Sequence, residues 1–249
     1  MIKFFRLSFS ISNQLKGKYM KKIRNPFKDL TIFERTLWGV SFVVVALSFL
    51  CTPEKDYLTL ICSLIGVTAL IFVAKGYVIG QVLCVIFAVF YGIISFCFRY
   101  YGEMLTYLCM STPMAIASVI SWLKNPYKGG KSVAVHKMSK RQVFLMIGLA
   151  AVVTTAFYFI LGALNNENLI VSTISVTTSF LAAFMTFMRS PYYAIGYAAN
   201  DVILIILWIL ASIANPSYIP MIICFVMFLA NDIYGFISWK RMEKNQRQD

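Results

Sequence analysis

The sequence predicts an all-α integral membrane protein with eight transmembrane helices. Hydrophobic residues make up 59% of the 249 residues and charged residues only 13%, and the mean hydropathy is +0.74. A soluble domain of this length does not need so much apolar surface. The apolar residues form eight runs, each close to the roughly 20 residues with which a helix crosses a bilayer. Because lipid offers no hydrogen bonds to the backbone, each run is expected to be a helix.

The eight predicted helices, α1 to α8, are separated by short links and by one long basic loop at residues 124–142. Residues 1–35 are predicted as a basic cytosolic tail and residues 241–249 as a second tail. The sequence allows the chain to start at Met1 or at Met20 and does not decide between them. The predicted helices span residues 36–51, 57–74, 77–98, 104–123, 143–164, 169–188, 192–213 and 218–239.

Basic residues fall almost entirely on one side of these helices. With eight helices both termini share a side, and of the 23 Lys and Arg residues only Lys55 and Arg99 lie on the other side. Positively charged loops mark the cytosolic face. We therefore predict a protein of the cytoplasmic membrane with both termini in the cytosol. The same bias explains the net charge of +13, so nucleic-acid binding is not predicted.

The sequence lacks the residue patterns of catalytic and metal sites. His136 is the only histidine and lies in the basic loop, so a histidine-based metal site is not expected. The six cysteines form no Cys-x-x-Cys pair and are interpreted as small, buried, apolar residues. No Ser/His/Asp set and no glycine-rich phosphate loop is found. The prediction is a protein without enzymatic activity, cofactor or metal.

Two units of three helices, residues 57–124 and 169–240, resemble each other. The first ends in Ser121-Trp122 and the second in Ser238-Trp239, an offset of 117 residues; Lys75 and Arg189, at the ends of α2 and α6, are offset by 114. The single helix α5 (143–164) between the units leaves them in the same orientation, and α1 lies outside both. Transporters with parallel repeats hold the substrate at the repeat interface near the bilayer midplane.

An Asn-Asp pair interrupts each of the last two apolar runs, Asn200-Asp201 in α7 and Asn231-Asp232 in α8. A charged side chain within a transmembrane helix costs roughly 2.5–3.5 kcal/mol on insertion scales, so such residues usually face a cavity. Because α7 and α8 are antiparallel, both pairs lie about 12 Å from the same membrane face. The pairs predict one polar site. Hydrogen bonding between helices remains an alternative for both asparagines, and a position at the cytosolic helix end remains one for Asp232.

Aromatic and polar residues extend this site. Rings stack on a flat ligand, amides bond its hydroxyl and carboxamide groups, and a carboxylate offsets positive charge. Trp122 and Trp239, at helix ends, are expected instead to be interfacial anchors. The predicted substrate-binding residues, which share helix faces or lie on the first unit, are Tyr193, Tyr197, Asn200, Asp201, Trp208, Asn231, Tyr234, Gln81 and Tyr107.

Several motifs resemble the PnuC family of nicotinamide riboside transporters over about residues 57–245. They are the three-one-three helix arrangement, the Arg-Tyr-Tyr-Gly-Glu turn at 99–103, Pro113-Met114 upstream of Trp122, and the final Asn-Asp-Ile-Tyr-Gly-Phe-Ile-Ser-Trp-Lys string at 231–240. The resemblance implies a SWEET-like fold, a homotrimer, and facilitated diffusion of the riboside. It also implies a cytosolic kinase that phosphorylates the imported vitamin and so traps it.

The sequence departs from the family at the site. The family pattern Trp-x-x-Trp-x-x-x-Asn reads Tyr193, Gly196 and Asn200 here, and two positions that often carry amides in relatives are Phe87 and Ala115. Relatives within the family carry thiamine or riboflavin. Two alternatives therefore remain open: a transporter of another nucleoside or vitamin, such as thiamine, riboflavin or a deoxynucleoside, and a membrane scaffold that transports nothing.

Overall fold

The computed structural model describes residues 25–52, 56–97, 101–166 and 168–248. The predictions for the basic tail before residue 25, for Lys55 and for Arg99 lie outside these residues. Eight helices within them are long and apolar enough to cross a membrane, as predicted. They are α1 (Ile32–Leu50), α2 (Tyr57–Ala74), α3 (Val78–Cys97), α4 (Tyr101–Lys124), α5 (Lys140–Ala163), α6 (Leu169–Phe187), α7 (Tyr193–Ala214) and α8 (Ile219–Gln248).

The chain divides into two units, residues 1–37 and 38–249. In the described part of the first unit, a short 3-10 turn at Pro26–Asp29 is capped by the side chain of Asn25. Thr31 and Glu34 then form reciprocal bonds: the Thr31 N–H donates to Glu34 Oε2 at 2.6 Å, and the Glu34 N–H donates to Thr31 Oγ1 at 3.2 Å. Such a box satisfies the unpaired donors of a first turn, so α1 starts four residues earlier than predicted.

Six helices of the second unit form a closed ring. Around it, α2 packs against α3, α3 against α4, α4 against α6, α6 against α7, α7 against α8, and α8 against α2. The linker helix α5 packs against α6. Many apolar side chains on the other faces of α5 are exposed, among them Phe144 (74%) and Phe159 (68%). An apolar face of this kind fits a lipid environment.

The second half of α1 contacts this ring through side-chain hydrogen bonds. The Trp38 indole donates to Thr68 Oγ1 on α2 at 3.2 Å. Ser41 Oγ accepts a bond of 2.9 Å from Asn231 Nδ2 on α8. Buried polar groups need such partners because an unpaired one is costly in an apolar setting.

Helix α4 contains an irregular segment that the sequence pattern did not predict. Residues Thr106–Ser111 form a π-helical turn, and Pro113 lies two residues after it in the chain. Proline has no N–H and disturbs the preceding turn. The N–H of Thr112 bonds instead to the carbonyl of Tyr107, a wider i to i+5 step. Turns of this type are often found at functional sites.

Helices α2 and α6 end with the same backbone geometry. Gly76 and Arg189 adopt left-handed conformations with φ of 68° and 57°. Their N–H groups donate to the carbonyls of Val73 at 2.9 Å and Thr186 at 3.0 Å. This is a common way to stop a helix and satisfy its last carbonyls.

The two Ser-Trp pairs bond to these helix ends from the neighbouring helices of the ring, α4 beside α6 and α8 beside α2. Trp122 Nε1 donates to the Thr186 carbonyl at 2.9 Å, and Trp239 Nε1 donates to the Val73 carbonyl at 2.8 Å. Both indoles are fully buried, so the prediction that they are interfacial anchors was wrong. The adjacent serines repeat the pattern on the carbonyls of Phe187 and Ala74, each at 2.8 Å. The two pairs thus make matching bonds at the ends of α2 and α6.

Helix α8 continues to Gln248, nine residues beyond its predicted end at 239. Glu243 stabilises the extension through ion pairs with Lys240 at 2.6 Å and Arg247 at 2.5 Å, one helical turn away on either side. Gln246 holds the loop before α5, because its amide donates to the Val133 carbonyl at 3.1 Å and accepts from the Val135 N–H at 2.8 Å. Most of the predicted C-terminal tail is therefore helical.

Candidate functional site

A cavity of about 120 Å³ lies inside the ring, and all six ring helices line it. Neither α1 nor α5 contributes to its described lining. Six of the nine residues predicted from the sequence meet at this cavity: Gln81, Tyr107, Tyr193, Tyr197, Asn200 and Asp201.

The carbonyl end of the Asn200 amide is held by three hydroxyl groups of α6. Oδ1 lies 3.2 Å from Ser175 Oγ, 2.8 Å from Thr178 Oγ1 and 3.0 Å from Ser179 Oγ. These contacts fix the orientation of the amide and leave its Nδ2 to face the cavity without a partner among the described residues. Asn200 can therefore donate to an acceptor on a bound molecule.

Gln81 contributes a second amide on the opposite side of the ring, from α3. The side chain is 97% buried and lines the cavity. No hydrogen bond connects its amide with any other described residue. An amide offers both donors and an acceptor, so Gln81 matches a ligand carboxamide or hydroxyl.

Asp201 and Asp232 bring two carboxyl groups together on the cavity wall. Both are buried, with 4% and 3% exposure, and both line the same cavity. Asp201 Oδ2 is buried and has no partner among the described residues. Asp232 therefore lies at the cavity and does not cap the cytosolic end of α8, which was the alternative left open by the sequence.

Aromatic side chains of α3, α4, α7 and α8 form another part of the wall. The rings of Tyr107 and Tyr91 lie 4.4 Å apart, and Phe87 contacts Tyr107 at 6.1 Å and Phe228 at 6.0 Å between centroids. On α7, the rings of Tyr193 and Tyr197 meet edge to face at 6.2 Å. A flat molecule in the cavity would meet aromatic faces from α3, α4, α7 and α8.

The remaining three predicted residues do not line this cavity. Asn231 Nδ2 donates to Ser41 Oγ at 2.9 Å and to the Met227 carbonyl at 2.8 Å, a helix-to-helix contact. Trp208 lines a separate cavity that also includes Glu103, and it packs on Tyr218 at 5.5 Å. Tyr234 is half-buried outside the cavity.

The sequence pattern chose the wrong face of α8. The prediction placed Asn231 and Tyr234 at the site, but Phe225, Phe228 and Asp232 line the cavity. Both sets have steps of three or four residues, so each describes a helical stripe. A shift of one residue rotates the stripe by about 100°. Asp232 belonged to the predicted polar pair but not to the predicted substrate-binding residues, and it lines the cavity. Ser179 on α6 also lines it and was not predicted.

The departures from the PnuC pattern have a visible cause at one position. A Cβ on Gly196 would lie 2.9 Å from Ala182 Cα and 2.8 Å from Met185 Cε. Because α7 approaches α6 so closely, a second ring has no space there. Phe87 and Ala115, at which the sequence departs from the expected family pattern, both line the cavity and add apolar side chains to its wall.

The cavity wall contains acidic side chains and no basic ones among its described residues. Among the described residues that line it, Asp201 and Asp232 carry carboxyl groups and none is Lys, Arg or His. The described residues also contain no group of three His, Cys, Asp or Glu side chains that could hold a metal ion. This arrangement can accommodate a flat molecule that carries positive charge or none.

The chain is similar to known transporters over most of its length. Residues 56–241 match the family described as nicotinamide mononucleotide transporter. The nicotinamide riboside transporter PnuC of Neisseria mucosa is 25% identical over 227 residues, which cover 89% of this chain and 86% of that protein. The nicotinamide riboside transporter PnuC of Haemophilus influenzae is 21% identical over 211 residues, covering 84% and 90% of the two chains.

The fold also matches a solved structure. The crystal structure of the vitamin B3 transporter PnuC superposes with a TM-score of 0.75 at 23% identity, and the match covers 87% of this chain and 94% of that one. At this identity the superposition establishes the common fold.

Proposed function

The chain belongs to the nicotinamide mononucleotide transporter family, also known as the PnuC family, and we propose that it carries nicotinamide riboside across the cytoplasmic membrane. The family description refers to the mononucleotide, whereas the two relatives above are named for the riboside. The two molecules differ by a phosphate group, so the charge of the cavity can separate them.

The acidic cavity is the observation that favours the riboside. The nicotinamide ring of the riboside carries one positive charge, which Asp201 and Asp232 can offset. A phosphate monoester adds about 1.5 to 2 negative charges at neutral pH. Without a Lys, Arg or His among the described lining residues, a buried phosphate beside carboxyl groups would be repelled and poorly solvated.

The polar and aromatic groups of the wall complement the rest of the riboside. We propose that the Asn200 and Gln81 amides bond the ribose hydroxyls and the carboxamide, and that Tyr107 and Tyr197 contact the ring, where aromatic faces favour positive charge. Tyr193 is buried beneath Tyr197 and supports it. For Asn231, Trp208 and Tyr234, their positions outside the cavity favour structural roles over substrate contact.

Transport requires movement of the helices. A cavity of about 120 Å³ is smaller than the roughly 300–1,000 Å³ of typical ligand pockets. The ring must therefore widen to admit the riboside and reopen to release it, as in alternating access. We propose facilitated diffusion, with trapping by a cytosolic riboside kinase, because the sequence has no ATP-binding motif. A homotrimer and cytosolic termini belong to the same proposal, on family resemblance and on the basic-residue bias respectively.

Purified protein in liposomes tests this proposal directly. Labelled nicotinamide riboside should enter down its gradient without ATP or an ion gradient, and accumulation should stop when the inside and outside concentrations are equal. Nicotinamide mononucleotide should enter at least about tenfold more slowly, a difference of about 1.4 kcal/mol in barrier height. Faster entry of the mononucleotide would reject the charge argument, and entry of neither would favour the non-transporting scaffold.

A second substrate remains a candidate because of three positions. Phe87, Ala115 and Gly196 make this cavity less polar than the family pattern implies, and Phe87 and Ala115 line it directly. Thiamine is also a flat organic cation, so the acidic wall suits it as well. Competition of unlabelled thiamine and riboflavin against riboside uptake separates these possibilities: a stronger effect of thiamine than of unlabelled riboside would change the assigned substrate.

A further inference from the structure

We propose that the space beside Glu103 and Trp208 is a second, outer binding site, in which the transported molecule is held before it passes Tyr107 into the central cavity around Asn200. The inference rests on the proposed function, because the molecule is the same in both sites. It deepens that function by adding a site with its own residues, at the end of the ring where α4 and α8 begin.

Two adjoining cavities form the outer site. One, of about 470 Å³, lies between α4, α6 and the end of α7, and the other, of about 260 Å³, lies between α2, α3 and the start of α8. Glu103, Trp208, Asn215 and Tyr218 line both. The larger cavity falls within the roughly 300–1,000 Å³ of typical ligand pockets, whereas the central cavity, of about 120 Å³, does not. The outer site thus has the volume of a ligand pocket without any rearrangement.

The indole of Trp208 has a hydrogen bond left to donate. The side chain is only 7% exposed, and its Nε1–H is buried without an acceptor among the described residues. A buried donor without an acceptor is rare in folded proteins. Because Trp208 forms part of the wall of both outer cavities, an acceptor on a molecule held there can complete the bond. Trp208 does not line the central cavity, so its contact with substrate belongs to the outer site.

Other polar and aromatic groups surround Trp208. Asn215 Oδ1 accepts from the Ser217 N–H at 3.0 Å, which orients the amide and leaves its Nδ2 as a donor. Glu103 offers carboxyl oxygens that accept hydrogen bonds from hydroxyl groups. The Tyr218 ring lies edge to face on Trp208 at 5.5 Å. No Lys, Arg or His is found among the described residues that line the two cavities. These groups suit a flat, hydroxylated molecule without negative charge.

A narrow space joins the outer site to the central cavity. It measures about 40 Å³, room for about one water molecule, whose share of liquid volume is about 30 Å³. It shares Glu103 and Leu207 with the larger outer cavity, and it shares Tyr107, Ser179 and Leu204 with the central cavity. The three spaces follow one another along α4, α6 and α7, so the substrate can pass only when these helices move apart.

The constriction is built from groups that also shape the central site. Ser175 and Ser179 line it and contact Asn200 Oδ1 at 3.2 and 3.0 Å. Tyr107, on the opposite side, lies in the π-helical turn of α4. Movement of α4 away from α6 would open the passage and change the central wall together. The outer site is the place where the substrate is held while the passage is closed.

Equilibrium dialysis of the purified protein with labelled nicotinamide riboside counts the sites. The wild type should bind two molecules per chain, the second more weakly. Trp208→Phe removes the indole donor and Glu103→Gln replaces the carboxyl group by an amide, so each should raise the weaker dissociation constant about 3- to 10-fold and leave the tighter one within about twofold. Asn200→Ala should have the opposite selectivity.

Trp38→Phe on α1 is the matched control, because Trp38 lines none of these cavities, and it should change neither constant. Binding of a single molecule per chain by the wild type would overturn the proposal without any variant. A second molecule whose affinity is unchanged in both Trp208→Phe and Glu103→Gln would overturn it as well.

The fluorescence of Trp208 reads the outer site independently of transport. The chain has four tryptophans, and the wild type minus Trp208→Phe difference in emission isolates the signal of Trp208. The probe is 1-methylnicotinamide, a nicotinamide ring without ribose that quenches an indole it contacts. Quenching of this signal should saturate, and Glu103→Gln should shift the half-saturating concentration upward about 3- to 10-fold.

Absence of quenching, or quenching that rises linearly with concentration as in free collision, would overturn the outer site. If the wild type neither binds nor transports the riboside, the proposed function fails. The fluorescence measurement then still decides whether the space beside Trp208 holds a flat ligand.

Discussion

Trp122 and Trp239 lie against each other in the ring, with their centroids 5.3 Å apart. Each indole donates a hydrogen bond to the last turn of a helix in the other three-helix unit, Trp122 to Thr186 and Trp239 to Val73. The two units are thus joined by a pair of equivalent contacts that also touch one another. If the ring opens during transport as proposed, these contacts are expected to influence how easily it does so.

Replacement of either tryptophan by phenylalanine should destabilise the protein. Phenylalanine keeps a ring but leaves the Thr186 or Val73 carbonyl without its indole donor, a loss of about 1–3 kcal/mol for a buried group. We expect similar decreases in the thermal unfolding temperature for Trp122→Phe and Trp239→Phe in detergent. Tyr158→Phe on exposed α5 is the control and should change stability by less than about 0.5 kcal/mol. A wild-type melting temperature in either tryptophan variant would contradict the equivalence of the contacts.

Asn200→Ala should weaken substrate binding while the protein still inserts and folds. The substitution removes the amide that α6 orients with three hydroxyl groups and leaves those hydroxyls to bond among themselves. Loss of one or two ligand hydrogen bonds corresponds to roughly a 10- to 100-fold increase in the dissociation constant. Titration calorimetry with nicotinamide riboside measures the effect, and affinity equal to wild type would remove Asn200 from the site.

Asn231→Ala should instead lower stability. Its amide connects α8 to Ser41 on α1, and hydrogen bonds between membrane helices contribute about 0.6 kcal/mol on average and up to about 2 kcal/mol. Ser41→Ala breaks the same bond from the other side, so the two effects should not add in the double variant. Riboside affinity should stay within about threefold of wild type, a much smaller change than the one expected for Asn200→Ala. A large loss of riboside affinity with normal stability would instead show that Asn231 contributes to substrate binding.

Gly196→Ala should disturb the packing of α7 on α6. The new methyl group would lie 2.9 Å from Ala182 Cα, which is backbone and cannot move aside, so we expect a loss of about 1–3 kcal/mol from overpacking. Gly148→Ala on α5 is the matched control, since nothing lies within 4 Å of its Cβ position, and it should be neutral or slightly stabilising. Equal melting temperatures for the two variants would show that α7 and α6 are not in close contact.

Composition and hydrophobic runs were sufficient to predict the eight spans, and the tandem motifs were sufficient to predict the family. The same patterns could not distinguish a tryptophan that anchors a helix at the membrane interface from one that donates a hydrogen bond to another helix. Trp122 and Trp239 stand at helix ends in the sequence, where tryptophan usually meets the membrane interface, but their donors reach carbonyls about 64 and 166 residues away along the chain. Contacts of this range leave no local signal.

Four of the five residues predicted on α7 line the cavity and Trp208 does not, whereas neither residue predicted on α8 lines it. Tyr193, Tyr197 and Asn200 share one helical stripe, and Asp201, about 100° further around the helix, also lines the cavity. On α8 the polar Asn231-Asp232 pair sits across two possible stripes, and periodicity alone cannot choose between neighbouring residues. The choice depends on the packing of α1 against Asn231 through Ser41, which is tertiary information.

The wide turn in α4 has a consequence for how such cavities can diversify. Tyr107 and Ser111, which both line the cavity, lie in this turn. Each of its hydrogen bonds spans five residues, one more than in an ordinary α-helical turn. Deletion of one residue between Thr106 and Ser111 would allow the turn to become regular α-helix. The residues on one side of the deletion would then rotate about the helix axis, so that different side chains face the substrate although no residue has been substituted. Length variation at this point is thus a route to new ligands that an inspection of point substitutions alone would overlook.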